Sequence, residues 1–281
     1  MKARYGYTHK IFKNKLTLAT AVMFACLGYS SVSLANHPVL VEGESDFDGD
    51  GRIGVDEDND GLDQVFGTIN AALGAANRGA NQNGHVIIVT SGRFLEIVNI
   101  TAANGDVTLQ AAPGVEAEIE AVRAGDAAGN TQRQAAPGII VNAPSNRIVT
   151  IRNIVSRNWT EGILVSGNSR VIIDNCRVEH NKDYGIHVMG SAKATITNSQ
   201  VVGSGFRNGA GIVNTPMPGI GIEFEGASSG VVASTTISGS FAAGIANATG
   251  NPQAVKIANT AVVFDNNPNF IGVRPPVGSF F

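Results

Sequence analysis

The residues best suited to binding an ion lie between positions 46 and 63, in the stretch DFDGDGRIGVDEDNDGLD. Eight of these 18 residues are acidic, and only one is basic. Carboxylates this close together repel one another unless they remain in water or share a cation. Asp46, Asp48 and Asp50 alternate along the chain, and Glu57 stands at the twelfth position counted from Asp46. This spacing is typical of a calcium loop.

The order of the residues in this loop suits Ca²⁺, which prefers oxygen ligands. Alternate carboxylates face inward from a tight loop, and Gly51 allows the sharp turn that such a loop needs. The carbonyl of Arg52 would supply a backbone oxygen, and Glu57 would close the shell with two carboxylate oxygens. The sequence therefore predicts a Ca²⁺ site. The alternative interpretation is a solvated acidic linker.

A second acidic loop begins ten residues later, with Asp56, Asp58 and Asp60 again at alternate positions. It has no acid at its twelfth position, so Asp63 would serve as a ligand instead. The two loops together resemble the calcium loops of dockerins and of thrombospondin type 3 repeats. The first loop also resembles that of an EF-hand, although Pro38 makes the preceding segment a poor helix. The resemblance implies a structural calcium site.

A Gly-Ile pair recurs at nearly constant spacing through the second half of the chain. The pairs begin at Gly138, Gly162, Gly185, Gly221 and Gly244. Three intervals are 23 or 24 residues, and the third is 36, which is one repeat with a 13-residue insertion. Each glycine suits a turn in which the backbone is left-handed or crowded. Both the Gly-Ile row and a second row alternate apolar and polar residues, which predicts short strands. The second row carries Asn153, Asn175, Asn198 and Asn259, with Thr235 in place of the fourth asparagine.

A repeat of this length cannot bury its Ile and Val residues alone, so successive repeats must stack. Strands of adjacent turns would pair in parallel, roughly 4.8 Å apart. The expected interior column is Ile139, Ile163, Ile186, Ile222 and Ile245, and its neighbour is Val141, Val165, Val188 and Phe224. Each buried aliphatic side chain contributes about 1.5–3 kcal/mol to folding. The asparagines would bend the chain and bond to one another along the stack.

These rungs resemble the right-handed parallel β-helix repeats of the pectate lyase-like superfamily. The segment from 68 to 101 looks like that superfamily's opening, with a short amphipathic helix, a strand, and an element similar to GxYxExVxI. In this element Phe94 takes the position of the tyrosine and Glu96 that of the glutamate. The resemblance implies an all-β fold, a right-handed single-stranded parallel β-helix with a short N-terminal capping helix. This fold carries lyases, hydrolases and non-catalytic surface proteins, so it does not by itself assign a function.

The first 35 residues have the features of a signal peptide, with five basic residues, an apolar run and small residues before Asn36. We therefore expect a signal peptide over 1–35, an acidic calcium segment over 36–67 and a β-helix domain over 68–281. Removing the five basic residues leaves 15 basic against 23 acidic residues, a net charge of −8. This balance argues against nucleic acid as a partner, and no later stretch is apolar enough to span a membrane. We expect a secreted, periplasmic or cell-surface protein.

Candidate catalytic residues lie on the outward positions of the Gly-Ile strands. His187 and Glu223 are expected on adjacent rungs with Glu225 beside them, and a histidine against a carboxylate can act as a general base. The alternative is an exposed ion pair. Cations that could hold a uronate carboxylate are Lys182, Arg177 and Arg207.

Four aromatic residues lie near the turns that precede the Gly-Ile rows. Shielding the turn from water is the favoured interpretation for Tyr184, Phe206 and Phe241, and stacking on a sugar remains open for Trp159. Cys176 is interpreted as a small buried hydrophobic residue.

Two functions remain open from the sequence. The first is an exported calcium-binding β-helix that engages an extracellular, acidic polysaccharide, as a polysaccharide lyase, a glycoside hydrolase-like enzyme or a binding protein. The second is a non-catalytic scaffold or adhesion protein of the surface or matrix, whose partner is a cell-surface component.

We predict that millimolar Ca²⁺ raises the melting temperature of the protein, because a ligand that binds only the folded state stabilises it. Asp50→Ala should remove most of that rise. Calorimetry with calcium and with a chelator measures the effect. A melting temperature that the chelator leaves unchanged, in a protein that retains no calcium, would contradict the calcium site.

Overall fold

A computed structural model describes residues 39–41, 65–76, 84–101, 106–121, 136–205 and 219–273. All nine predicted calcium ligands, from Asp46 to Asp63, lie outside these residues, so the calcium site stays a prediction. The described strands form three parallel sheets, named A, B and C.

Backbone hydrogen bonds set the order of the strands across each sheet, from one edge to the other. Sheet A contains β2 (Val65–Phe66), β1 (Val39–Val41), β3 (His85–Ile88), β6 (Val107–Ala111), β9 (Ile148–Arg152), β12 (Arg170–Asp174), β15 (Lys193–Thr197), β18 (Ser229–Ala233) and β21 (Val255–Ile257). Sheet B contains β4 (Gly92–Phe94), β7 (Ala117–Glu120), β10 (Ile154–Arg157), β13 (Arg177–Glu179), β16 (Gln200–Val202), β19 (Thr236–Ser238) and β22 (Val262–Phe264). Sheet C contains β5 (Val98–Ile100), β8 (Ile139–Val141), β11 (Glu161–Val165), β14 (Tyr184–Val188), β17 (Ile220–Glu225), β20 (Ala243–Ala248) and β23 (Phe270–Ile271).

From β3 onward every third strand belongs to the same sheet, so the chain winds into a three-sided coil with one strand per sheet in each turn. The predicted all-β parallel β-helix is confirmed. Strands β1 and β2 flank the acidic stretch and pair with each other and, through β1, with β3. Sheet A thus extends into the segment that the sequence assigned to the calcium loops.

The interior columns follow the predicted register. Ile163 pairs with Ile139 and Ile186, and the column continues through Ile222 to Ile245. All five isoleucines are at most 1% exposed. Each therefore contributes its burial energy only because the next turn covers it.

The glycine of each Gly-Ile pair is required by crowding and not by a left-handed backbone. A Cβ on Gly162 would lie 2.4 Å from Cγ1 of Val178 and 2.7 Å from the carbonyl oxygen of Gly185. Both Gly162 and Ile163 are buried, so two successive residues face inward and the strand's alternation breaks there. The residue before each glycine consequently faces outward.

The corner between sheets A and B is formed by the asparagine row. Asn153, Asn175 and Asn198 have φ angles of 57°, 52° and 51°, a left-handed conformation that asparagine tolerates. The Asn175 amide donates to Oδ1 of Asn153 at 2.8 Å, as predicted, whereas the Asn198 amide donates to Asp174.

The fourth position of this row belongs to Ser234, with φ of 48°, and not to Thr235. The prediction of Thr235 was wrong by one residue because Gly230, and not Val231, pairs with Ala194 in the sheet A register.

Helix α1 (Ile69–Ala76) covers the N-terminal mouth of the coil, as predicted. Its buried residues Ile69, Ala72, Leu73 and Ala76 join the main core. Glu96 holds the start of the helix, because its carboxylate accepts hydrogen bonds from the backbone N–H groups of Ile69 at 2.7 Å and Asn70 at 3.0 Å. A carboxylate at a helix N-terminus also interacts favourably with the helix dipole. Within the part of the chain that the structure describes, no helix has the length and apolar character needed to cross a bilayer.

We predict that Glu96→Gln lowers the free energy of unfolding by about 1 kcal/mol, because it removes the negative charge that caps α1. Chemical denaturation measures the change. Glu116→Gln is the matched control, since the Glu116 side chain is 62% exposed. Equal stability of the two variants would contradict the capping role of Glu96.

Candidate functional site

Five side chains gather on the outer face of sheet C, across three consecutive strands. They form the His187 cluster, which comprises Glu161, Tyr184, His187, Glu223 and Glu225. The predicted outward column is confirmed, since His187 pairs with Leu164 on one side and with Glu223 on the other. The sequence therefore placed His187 and the two glutamates correctly with respect to one another. Their catalytic role stays a prediction.

His187 lies between carboxylates on both of its ring nitrogens. Its Nε2 is 3.1 Å from Oε2 of Glu225, a hydrogen bond, and 3.7 Å from Oε2 of Glu223. Its Nδ1 is 3.5 Å from Oε2 of Glu161. His187 is only 6% exposed, although it projects from the outer face. The interpretation as an exposed ion pair is therefore wrong with respect to burial, because neighbouring side chains cover the ring.

Tyr184 is the largest of the covering side chains. Its ring stacks on the His187 ring with centroids 4.3 Å apart and an interplanar angle of 27°. The neighbouring Glu223 carboxylate interacts with its hydroxyl and contributes to raising the pKa of that group. The sequence favoured a role for Tyr184 in shielding a turn. In the structure Tyr184 lies in a strand and stacks on His187.

Sequence reasoning missed both Tyr184 and Glu161. Each immediately precedes a Gly-Ile pair, and the two residues pair with each other in sheet C. The outward positions were counted by alternation onward from each isoleucine, so the residue before each glycine was not among them. The signal that could have corrected this is the glycine itself, because a glycine with no room for a Cβ marks two successive inward positions.

The cluster shifts the titration of its own members. Burial lowers the pKa of His187, but the Glu161 carboxylate beside Nδ1, together with Glu225 and Glu223, outweighs burial and raises the pKa above 6.5. Burial raises the pKa of Glu223, and the charges of Glu225 and Glu161 act in the same direction. Burial and the three glutamates also raise the pKa of the Tyr184 hydroxyl. The cluster therefore retains protons that isolated side chains would lose.

Two buried polar atoms of the cluster are unsatisfied. Nδ1 of His187 and Oε2 of Glu161 face each other without a hydrogen bond among the described residues. Catalytic hydrogen bonds are often this long before a substrate binds. A slight approach would let Glu161 accept the Nδ1 proton and fix the tautomer of His187.

His187, Glu223 and Glu225 could also hold a divalent cation, since one donor atom of each lies within 4.8 Å of the others. In the structure Nε2 of His187 contacts Glu225. The same groups are also suited to acid–base chemistry.

A small group of buried apolar residues borders the His187 cluster on the same sheet. It consists of Ile220, Ala243 and Ala246, with Tyr184 and Ala242 packed against it. The inserted loop leaves the coil at Gly205 and returns at Gly219, and a Cβ on Gly205 would lie 2.9 Å from Cα of Gly219. The described ends of the loop thus meet one residue before Ile220.

The other residues that the sequence suggested for a site lie elsewhere. Nζ of Lys182 is 3.8 Å from Asp183, Arg177 lies in sheet B against Glu179 at 2.9 Å, and Arg207 lies outside the described residues together with Phe206. Phe241 is 61% exposed.

Trp159 and Cys176 are core residues. The indole N–H of Trp159 donates to the carbonyl of Ile119 at 2.9 Å, and the side chain is 1% exposed, so Trp159 cannot stack on a sugar. Cys176 is buried as predicted, and burial raises the pKa of its thiol to about 12.

We predict that His187 titrates above 6.5 and that Glu161→Gln lowers its pKa, because the neighbouring carboxylate favours the charged imidazolium. Nuclear magnetic resonance of the imidazole carbons measures both values. His85 serves as the internal reference, since burial lowers its pKa. Because the higher pKa belongs to the folded state, the stabilisation is full below about 6.5 and is lost as pH rises through the folded-state value. A His187 that titrates below His85 would contradict the cluster's electrostatics.

The comparison with protein families agrees with the coil. Residues 137–269 match the sequence model of the right-handed beta helix region family. A comparison with curated proteins finds no match to this sequence. Among solved structures, the chain is similar to pectate lyase Pel9A, with 12% identity, a TM-score of 0.48, and coverage of 82% of this chain and 70% of that one. It is also similar to an alginate lyase from a Paenibacillus species, with 13% identity, a TM-score of 0.42, and coverage of 74% and 72%. Together with the three parallel sheets, the family match makes this fold a right-handed parallel β-helix.

Proposed function

We propose that this protein is an exported, calcium-binding β-helix that engages an acidic polysaccharide and cleaves it by general acid–base chemistry at the His187 cluster. One observation carries the proposal. A histidine that is 6% exposed stands on the outer face of a sheet, between glutamates on both ring nitrogens. Titratable groups with shifted pKa values concentrate at functional sites.

The alternative role for the cluster is structural, and the coil itself argues against it. At the same column position, the other rungs carry Ile140, Leu164 and Ala246, so stacking does not need charge there. Three glutamates around one histidine also leave excess negative charge in a partly buried place, which is costly unless it serves another purpose.

Sheet B shows how this protein builds a structural ion network. Arg157 contacts Glu118 and Glu120, and a second arginine, Arg93, contacts the fully buried Glu120. Arginine matches carboxylate geometry and stays charged, so such a network is balanced. The His187 cluster has no arginine among its described contacts, and its one base titrates near neutral pH.

The cluster supplies a base and an acid for cleavage of a glycosidic bond, whereas a Lys or Arg to hold the uronate carboxylate is not among its described contacts. In β-elimination, Nε2 of neutral His187 gives up its contact with Glu225 and takes the proton from the carbon beside the uronate carboxylate. The electron pair forms a carbon–carbon double bond, and the C–O bond at the next carbon breaks. The carboxyl of Glu223, whose pKa is raised by burial, protonates the leaving oxygen. Glu161 is the positioning residue for His187.

An extended polymer fits this face better than a small molecule. Pockets for small molecules are concave and enclosed, whereas the cluster lies on a continuous sheet surface made by successive rungs.

A scaffold function is the second candidate, and the last rung favours it. Val262 is 53% exposed, Phe264 is 50% exposed and Ile271 is 45% exposed. Exposed apolar side chains at the end of a coil can mark a contact with another molecule. Sedimentation of the purified protein would reveal self-assembly, and a monomer that cleaves polysaccharide would exclude assembly as its principal role.

We predict that His187→Gln lowers kcat/KM on a cleaved uronate polymer by about a hundredfold or more, since it removes the general base. Ultraviolet absorbance detects the unsaturated uronide that elimination produces, and a reducing-end assay detects hydrolysis. Both are run on polygalacturonate and alginate, with and without chelator.

The matched control is His85→Gln, in sheet A, which should retain full activity. Activity should also rise with pH through the raised pKa of His187, and Glu161→Gln should move that rise to lower pH. Full activity of His187→Gln, or no product from any uronate polymer, would refute the proposed enzyme.

A further inference from the structure

A groove with a volume of about 910 Å³ runs over the outer face of sheet A. Three cations line it, namely Arg170, Lys193 and Lys256, and no Asp or Glu is among its lining residues. Within the described chain, none of the three cations forms an ion pair. All three side chains are exposed. This face therefore presents unneutralised positive charge on a protein whose acidic residues outnumber its basic ones, 23 to 20.

The register spaces the cations along the axis of the coil. Arg170 pairs directly with Lys193, so these two lie on adjacent rungs. Lys256 lies in β21 and pairs with Val231 of β18, and β18 pairs with β15, the strand of Lys193. Lys256 therefore lies two rungs beyond Lys193. Three rung steps correspond to about 14 Å. A ligand that meets all three cations must be extended and must carry repeated negative charge.

The remaining lining fits a carbohydrate. Thr195, Ser229 and Gln253 offer hydrogen-bonding groups, and Val231, which is 37% exposed, offers an apolar surface. The hydroxyl of Ser228 lines the groove, is buried, and has no hydrogen-bond partner among the described residues. A buried polar group without a partner is costly, and a ligand hydroxyl would satisfy it.

The lining also argues against other polyanions. Binding of single-stranded nucleic acid relies on aromatic side chains on which bases stack, and none lines the groove in the described chain. Binding to an anionic membrane surface takes larger clusters of basic residues than three.

We propose that the groove lined by Arg170, Lys193 and Lys256 on sheet A is a docking site for an acidic polysaccharide, separate from the His187 cluster on sheet C. The ligand class rests on the proposed function, but docking needs no catalysis. The cations of the groove bind the carboxylate or sulfate groups of the polymer. The outer face of sheet C, with the His187 cluster, takes no part in this binding.

The test compares binding of size-fractionated polygalacturonate to two charge-matched variants. Arg170→Gln/Lys193→Gln removes two cations of the groove. Arg152→Gln/Arg177→Gln removes two cations outside it, with side chains 45% and 41% exposed. We expect the groove variant to weaken binding about fivefold to tenfold at low salt, and the control variant by about twofold or less. Melting temperatures verify that both variants are folded.

Binding of three further polymers tests which chemical groups the groove recognises. Heparin carries sulfate groups in addition to its carboxylates, dextran is uncharged, and a single-stranded oligonucleotide tests the other polyanion. Four results would contradict the proposed docking site. They are equal weakening of binding in both variants, binding of dextran equal to that of polygalacturonate, stronger binding of the oligonucleotide, and no binding of any anionic glycan. His187→Gln should bind polygalacturonate as the wild type does. Binding that depends on the groove cations, in a wild-type protein that releases no product, would contradict the proposed enzyme and leave the docking site standing.

Discussion

Each turn of this coil buries its aliphatic side chains only against the turns above and below it, and this dependence on stacking governs the rest of the structure. A turn of about two dozen residues has no interior of its own, so Ile163 is covered because Ile139 and Ile186 occupy the same place on neighbouring turns. Parallel pairing at constant register follows, since a shift of one residue would turn the aliphatic column outward. The N-terminal end of the coil must then be closed. Helix α1 closes it, and the carboxylate of Glu96 caps the start of that helix.

The same register organises the outer faces. Residues at equivalent positions form columns about 4.8 Å apart, so chemistry on this fold is built one rung at a time. The three faces differ in charge. Sheet B balances glutamates with arginines, sheet C gathers glutamates around His187, and sheet A carries cations without acids in its groove. A single scaffold thereby supports a structural ion network, a candidate acid–base site and a candidate docking surface without any change in its core.

Prediction from the sequence succeeded where a residue's environment repeats from turn to turn. His187 and Glu223 were placed side by side because their position relative to the Gly-Ile pair is the same on both rungs. It failed where the local geometry departs from strict alternation. Glu161 was not singled out and Tyr184 was placed at a turn, because Gly162 and Gly185 both turn inward and so move the preceding residue to the outer face. Thr235 was predicted in place of Ser234, because Gly230, the second residue of β18, occupies the aliphatic column of Ala194. The burial of His187 could not be read from the sequence, since it depends on a ring stacked from the same strand and on carboxylates from the rungs on either side.

The sequence by itself determined the coil, the length of its turn, the columns of aliphatic residues that face inward and the helix that closes its N-terminal end. These features follow from the spacing of apolar residues and glycines along the chain, which is information that the linear order contains. Only the tertiary structure decided which charges meet. The carboxylate of Glu161 and that of Glu225 are 64 positions apart in the chain, and they share one imidazole because two turns of the coil carry them to the same face. Proximity of this kind depends on register between turns and on side-chain direction, and therefore on the folded chain.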